Sequence, residues 1–191
     1  MRKSLLISTL FVFCTLLSQN ALASSDMGWK SLGVGVGYVD PDNVDGTLGF
    51  GAFADLGTFA TNWHLEPQIG YWSKSQGAFG YDATIRDLSF GSRANYMFPV
   101  SSRKFQPYAG AGLGLHFVTA KVSTPAQDMG TFIIPAMTAS DTSTKLGLDM
   151  GGGFVTPLSA KTDLTGDLWY TAVSDVGHFS LKLGVAMKLG K

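Results

Sequence analysis

The chain has 191 residues, 14 acidic and 14 basic side chains, and only 15% charged residues. That length leaves room for one ordinary domain, and the balanced, sparse charge, with no basic run, excludes a nucleic-acid partner. A lone cysteine, Cys14, excludes a disulfide framework and cysteine-based metal sites.

The first segment reads as a targeting sequence. Arg2 and Lys3 precede an almost unbroken apolar run from Leu5 to Leu17, and Ala21-Leu22-Ala23 has the small-x-small form of a cleavage site. This predicts a signal peptide over residues 1–23, with residues 24–191 forming the exported domain. The run is too short to serve comfortably as a spanning helix. Cys14 leaves with it.

From there the chain alternates apolar and small or polar residues with period 2, the pattern of a strand with two unlike faces. Lys30–Val39 sets Leu32, Val34, Val36 and Tyr38 against Ser31, Gly33, Gly35 and Gly37. Thr47–Leu56 sets Leu48, Phe50, Ala52 and Ala54 against Gly49, Gly51, Phe53 and Asp55. Asn62–Trp72 opposes Trp63, Leu65, Pro67, Ile69 and Tyr71 to His64, Glu66, Gln68 and Gly70. Thr84–Phe98 opposes Leu88, Phe90, Ala94 and Tyr96 to Asp87, Ser89, Gly91, Arg93 and Asn95.

The fifth stretch, PYAGAGLGLHF, has glycine at 110, 112 and 114 and Ala109, Ala111, Leu113, Leu115 and Phe117 between them. Its GxGxG spacing is not the GxGxxG of a dinucleotide loop, and no GK[ST] occurs in the chain. Lys145–Val155, Thr162–Thr171 and His178–Leu189 complete a set of eight. Short connections alternate with a second set that includes two long ones, Ser73–Ala83 and Thr119–Ser143.

Eight strands of about ten residues, each able to cross a ~25 Å apolar band when tilted, predict an all-β fold, an eight-stranded antiparallel up-and-down transmembrane barrel. The non-apolar face is rich in glycine, which suits the crowded interior of so narrow a barrel. The apolar face therefore points outward. On it Trp63, Tyr71, Tyr96, Phe98, Phe117, Tyr170 and Phe179 lie near strand ends, as an interfacial girdle requires. A soluble periplasmic ligand-binding barrel, with the apolar face inside, is the alternative architecture. Pro67 removes one ladder donor and predicts a bulge beside it.

PYAGAGLGLHF, RDLSFGSRANYMF before a short turn, and the closing LKLGVAMKL together resemble strands of small outer-membrane barrels of the OmpA-like, OmpW-like and opacity-type porin families. The resemblance spans about Trp29 to Lys191. It implies the outer membrane of a Gram-negative cell, a monomer, contact with membrane lipid and lipopolysaccharide, and delivery by the barrel assembly machinery. Where those families end on an aromatic residue, this chain ends Met187-Lys188-Leu189-Gly190-Lys191.

Parity places six polar residues inside: Glu66, Arg93, His116, Asp149, Asp167 and Lys182. Glu66 and Arg93 fall on neighbouring strands, and a hairpin centred near Ser174–Asp175 sets Asp167 opposite Lys182. Buried charges need partners, so these form either a structural ion-pair network or an ion path. His178-Phe179-Ser180 looks like part of the catalytic set of a lipid A deacylase, but no acid follows Ser180 and both side chains point inward. His64, His116 and His178 sit on separate strands and suggest no metal site, and no cofactor is expected. In the longest connection, Phe132, Ile133, Ile134 and Met137 form an apolar cluster where solvent is expected, which marks a contact surface. The sequence thus predicts a non-enzymatic envelope protein with a structural or surface-interaction role. The alternatives are a narrow conduit for ions or small hydrophobic molecules, and the soluble ligand carrier.

Overall fold

The computed structural model describes residues 25–42, 44–78, 81–101, 104–128, 130, 133–174 and 176–190. The expected signal peptide and Phe132 lie outside them. Ten strands follow in order: β1 (Asp26–Pro41), β2 (Thr47–Ala60), β3 (Trp63–Ala78), β4 (Tyr81–Met97), β5 (Gln106–Thr124), β6 (Gln127–Asp128), β7 (Ile133–Ile134), β8 (Met137–Pro157), β9 (Thr162–Val173) and β10 (His178–Lys188). Eight of them close into one antiparallel barrel in the order β1-β10-β9-β8-β5-β4-β3-β2, while β6 and β7 pair separately. Closure comes from β1 against β10, with Gly35 opposite Gly184.

The faces divide as the alternation dictates. Val34, Leu48, Leu113, Leu146 and Leu183 stand exposed on the outside. Asp87, Arg93, His116, Asp149 and Trp169 are buried inside. A barrel whose apolar face is outermost has its hydrophobic solvent outside, so the soluble carrier with an apolar interior does not hold.

One end carries tight connections. The β2–β3 turn is the residue pair Thr61-Asn62, with Asn62 at φ 63°, a left-handed conformation asparagine tolerates. Beside it Phe59, Trp63, Tyr96 and Phe98 form a chain of ring contacts at 5.3–6.4 Å, and Phe105 stacks on Phe154 at 5.3 Å. Toward the other end Tyr170 meets Phe179 at 4.7 Å and Phe90 meets Phe117 at 6.0 Å. These two sets of rings bracket the apolar band. The expected irregularity at Pro67 falls on its β2 neighbour: the register slips between Phe53 and Thr58, while Pro67 stays in register with Ser92 of β4.

The two long connections are mostly strand. β3 runs to Ala78 and β4 starts at Tyr81, paired to the last residue. β5 and β8 stay in register up to Thr124 opposite Met137. The expected loop over Thr119–Ser143 is therefore corrected to a projecting hairpin. Met137 belongs to β8, and Ile133 and Ile134 pair with Asp128 and Gln127 in the small hairpin at its tip.

Candidate functional site

Closing eight strands brings side chains from distant parts of the sequence into one narrow lumen, where they stack in layers. At the tight-turn end, His64 Nδ1 lies 3.1 Å from both carboxylate oxygens of Asp55, and Lys188 pairs with Asp163 at 2.8 Å. A cavity of about 90 Å³ reaches from His64, Asp55 and Asp163 toward Arg93, lined also by Glu66, Tyr108, Asp167 and Lys182. Lys182 faces Asp167 across β9–β10, as expected, and the Tyr108 hydroxyl donates to Asp167.

The next layer spans the bore. Arg93 Nε donates to Asp149 Oδ2 at 3.1 Å, Gln68 Nε2 donates to the same oxygen at 2.8 Å, and Thr171 Oγ1 donates to Asp149 Oδ1 at 2.6 Å. The guanidinium also lies 3.9 Å from the Trp169 ring centroid, and Trp169 is only 1% exposed. Arg93 and Asp149 come from β4 and β8, which are not neighbours. They meet across β5 because Gly112 is opposite both. A Cβ on Gly112 would come within 2.8 Å of Arg93 Cγ. The bare inner face of PYAGAGLGLHF is thus the space this layer occupies.

Higher still, His116 Nδ1 lies 2.8 Å from Asp87 Oδ2, and the His178 ring sits 6.3 Å from His116 and 6.0 Å from Trp72. Val118, Val173 and Val176, with Ile85 against them, form an apolar lid over the bore.

All six expected lumen residues line this interior, but their partners differ. Glu66 is opposite Arg93 in register, yet the guanidinium turns to Asp149, a carboxylate that also accepts from Gln68 and Thr171, and lies against the Trp169 ring. His116 takes Asp87, and Asp167 takes Tyr108. Gln68, Asp87, Tyr108, Thr171 and Trp169 are members that parity alone did not single out. Ser180 is buried in the wall, and His178 Nδ1 contacts the Val176 carbonyl at 3.4 Å. The acid of the upper layer bonds His116, so the His178–Ser180 pair lacks an orienting carboxylate among the described residues. None of these residues forms a group of three or more metal-ligating side chains.

Beyond the lid, polarity inverts. Below it, the outward residues of β4, β5 and β8 are Leu88, Phe117, Leu146 and their like. Above it the outward residues are Thr84 and Arg86, Thr119 and Lys121, and Ser140 and Thr142. Hydroxyls meet there, Ser75 with Thr84 and Thr119 with Thr142, each at 2.9 Å. The inward face of the same strands carries the apolar Ala83, Ile85, Ala120, Val122, Ala139 and Met137 together with Asp141, Ser143 and Lys145 of β8. Outward alkyl groups end where the hydrocarbon ends, so β3, β4, β5 and β8 continue as a sheet standing in water.

An outward apolar band, paired rings at both borders and a packed polar lumen define a transmembrane β-barrel. Outer membranes are where such closed barrels reside, and this one is an outer-membrane protein. The chain belongs to the outer membrane protein beta-barrel domain family, whose model matches residues 9–188. Among solved structures it is similar to Neisserial surface protein A (18% identity, 83% of this chain and 96% of that one, TM-score 0.60). Ail, the attachment invasion locus protein of Yersinia pestis, aligns at 16% identity over 84% of this chain and 99% of that one, TM-score 0.52. A major outer membrane protein from Thermus thermophilus aligns at 13% identity over 83% of this chain and 99% of that one, TM-score 0.60. These likenesses concern the fold. No curated protein matches the chain.

Proposed function

We infer that this is a monomeric, non-enzymatic envelope protein whose working surface is the projecting sheet rather than the lumen. Residues 1–23 serve as its export signal, and the tall end faces the cell exterior. One observation carries the reading: the bore is filled by the Arg93–Asp149–Gln68–Thr171 layer and the valine lid, while four strands continue past the apolar band. A conduit would have to break a buried ion pair, costing about 3–5 kcal/mol once a charge loses its partner, and then move the lid. The six lumen residues act as an internal strut. Lipopolysaccharide and lipid surround the band, and the assembly machinery inserts it.

Planar-bilayer recording of the purified full chain tests this. Silent membranes at protein densities that give steps with a known porin fit the reading. Discrete conductance that changes in Asp167→Asn or Lys182→Met assigns the lumen as an ion path instead.

A further inference from the structure

The charges in the tight-turn half of the lumen do not balance. Among the described residues, the inward acids at or below the Arg93–Asp149 layer are Asp55, Glu66, Asp149, Asp163 and Asp167. The inward bases there are His64, Arg93, Lys182 and Lys188. Three acids have a base of their own. Asp55 holds His64 through both oxygens, Asp163 holds Lys188, and Asp167 is opposite Lys182. Arg93 has to serve two acids, Asp149 by its hydrogen bond and Glu66 by register. Even with His64 counted as a cation, one negative charge is in excess, and it falls on the pair Glu66 and Asp149. A charge held inside a barrel needs a partner.

Neutral oxygens wait in the same place. The Asn95 amide oxygen and Thr165 Oγ1 are buried with no hydrogen-bond partner, their residues 1% and 5% exposed. Both residues line the cavity that Glu66 lines. Leaving such groups unmet is costly. Asn95 is opposite His64, two residues along from the Glu66–Arg93 pair. Thr165 stands on β9, across the ring from β3. An excess carboxylate and two orphaned oxygens therefore meet around one space of about 90 Å³.

That space has an approach. Asp55, His64, Met97 and Val155 line both the cavity and a recess of about 480 Å³ at the tight-turn end, where Asn62 and Pro99 form the border.

We propose that this cavity is a binding site for a small monovalent cation of the sodium or potassium type, entered from the tight-turn end. Glu66 supplies the charge, and Asn95 and Thr165 supply neutral oxygens. Carboxylate, amide and hydroxyl oxygens are hard donors, suited to hard cations. A divalent ion would meet twice the repulsion from Lys182, which lines the same wall. The ion balances the lumen and stops at the Arg93–Asp149 layer, so the site needs no current through the barrel. It goes beyond the surface reading and does not rest on it.

The test is reversible urea unfolding of the full chain in phospholipid vesicles at constant ionic strength. Sodium chloride is exchanged for N-methylglucamine chloride, whose cation is too bulky for the cavity. A ligand that binds only the folded state multiplies the folding constant by 1 + [L]/Kd, so the wild type should gain at least tenfold between about 1 and about 300 mM sodium. The sodium-23 resonance should broaden when the folded protein is added. Glu66→Gln should keep the heat-shifted gel migration of a closed barrel and lose both the gain and the broadening. Thr165→Val, which keeps shape and charge, should bind sodium at least threefold more weakly. Asp141→Asn, which removes an acid of the projecting sheet, should keep the full gain. An undiminished gain in Glu66→Gln would put the sodium elsewhere and overturn the proposal. A wild type indifferent to sodium at both neutral and alkaline pH would mean that a proton balances Glu66, and would overturn it equally.

Discussion

Arg93→Met tests the lumen strut most sharply, because it keeps much of the side-chain bulk while removing the charge, its donor to Asp149 and its contact with Trp169. Asp149 would then be a buried carboxylate held by Gln68 and Thr171 alone. Breaking a buried pair by removing one partner costs about 3–5 kcal/mol, and the two remaining donors put this case at the low end. The guanidinium stacked 3.9 Å from the Trp169 centroid contributes roughly 2 kcal/mol more when desolvated. The expected loss is about 5 kcal/mol, a large share of the ~5–15 kcal/mol that holds an ordinary domain folded. Reversible urea unfolding in phospholipid vesicles, followed by tryptophan fluorescence and by migration of unheated samples, measures it. The double variant Arg93→Met/Asp149→Leu should be no less stable than the worse single variant, since it removes both charges together. If the two single losses instead add, or Arg93→Met is neutral, the two side chains do not act as a pair and the lumen holds no strut.

Three further outcomes follow from the geometry. Gly112→Val puts a Cβ 2.6 Å from the Ser92 carbonyl oxygen and should cost about 1–3 kcal/mol or more as overpacking, whereas Gly190→Val, with nothing within 4 Å, should leave the urea midpoint unchanged. Leu113→Arg, on the outer face near the middle of the apolar band, should cost about 2–4 kcal/mol in the same vesicle assay, and a neutral result would mean this face does not meet lipid. Replacing residues 125–136 with a short turn should leave the heat-shifted migration intact, because Thr124 and Met137 already pair; loss of the folded band would make the tip hairpin part of the barrel's stability.

The strands were legible wherever lipid constrained them. Glycines 110, 112 and 114 alternating with Ala111, Leu113 and Leu115 fix which face is which, and the parity of all six lumen residues follows. Partners were less legible, because they depend on the register between strands. Asp87 is opposite Val118, so His116 reaches it only diagonally, and the turn after Met97 could have set another offset. Arg93 and Asp149 meet across an intervening strand, a contact no single hairpin displays. The tall ends of β3, β4, β5 and β8 were hidden for a different reason. Above the hydrocarbon the outer face gains nothing from alkyl groups, so Thr119, Lys121 and Ser123 stand outward while Ala120 and Val122 turn in. The alternation persists with its sign reversed and its contrast reduced, and the segment reads as a loop.

A surface role for the projecting sheet depends above all on which end of the barrel faces the outside of the cell. In a Cys14→Ser background, Ser140→Cys on the projecting sheet and Ser101→Cys at the tight-turn end, treated on intact cells with a membrane-impermeant maleimide, measure this directly. With the tall end outside, residue 140 is labelled on intact cells and residue 101 only after lysis. Labelling of residue 101 on intact cells with residue 140 protected would contradict that orientation and the surface role with it.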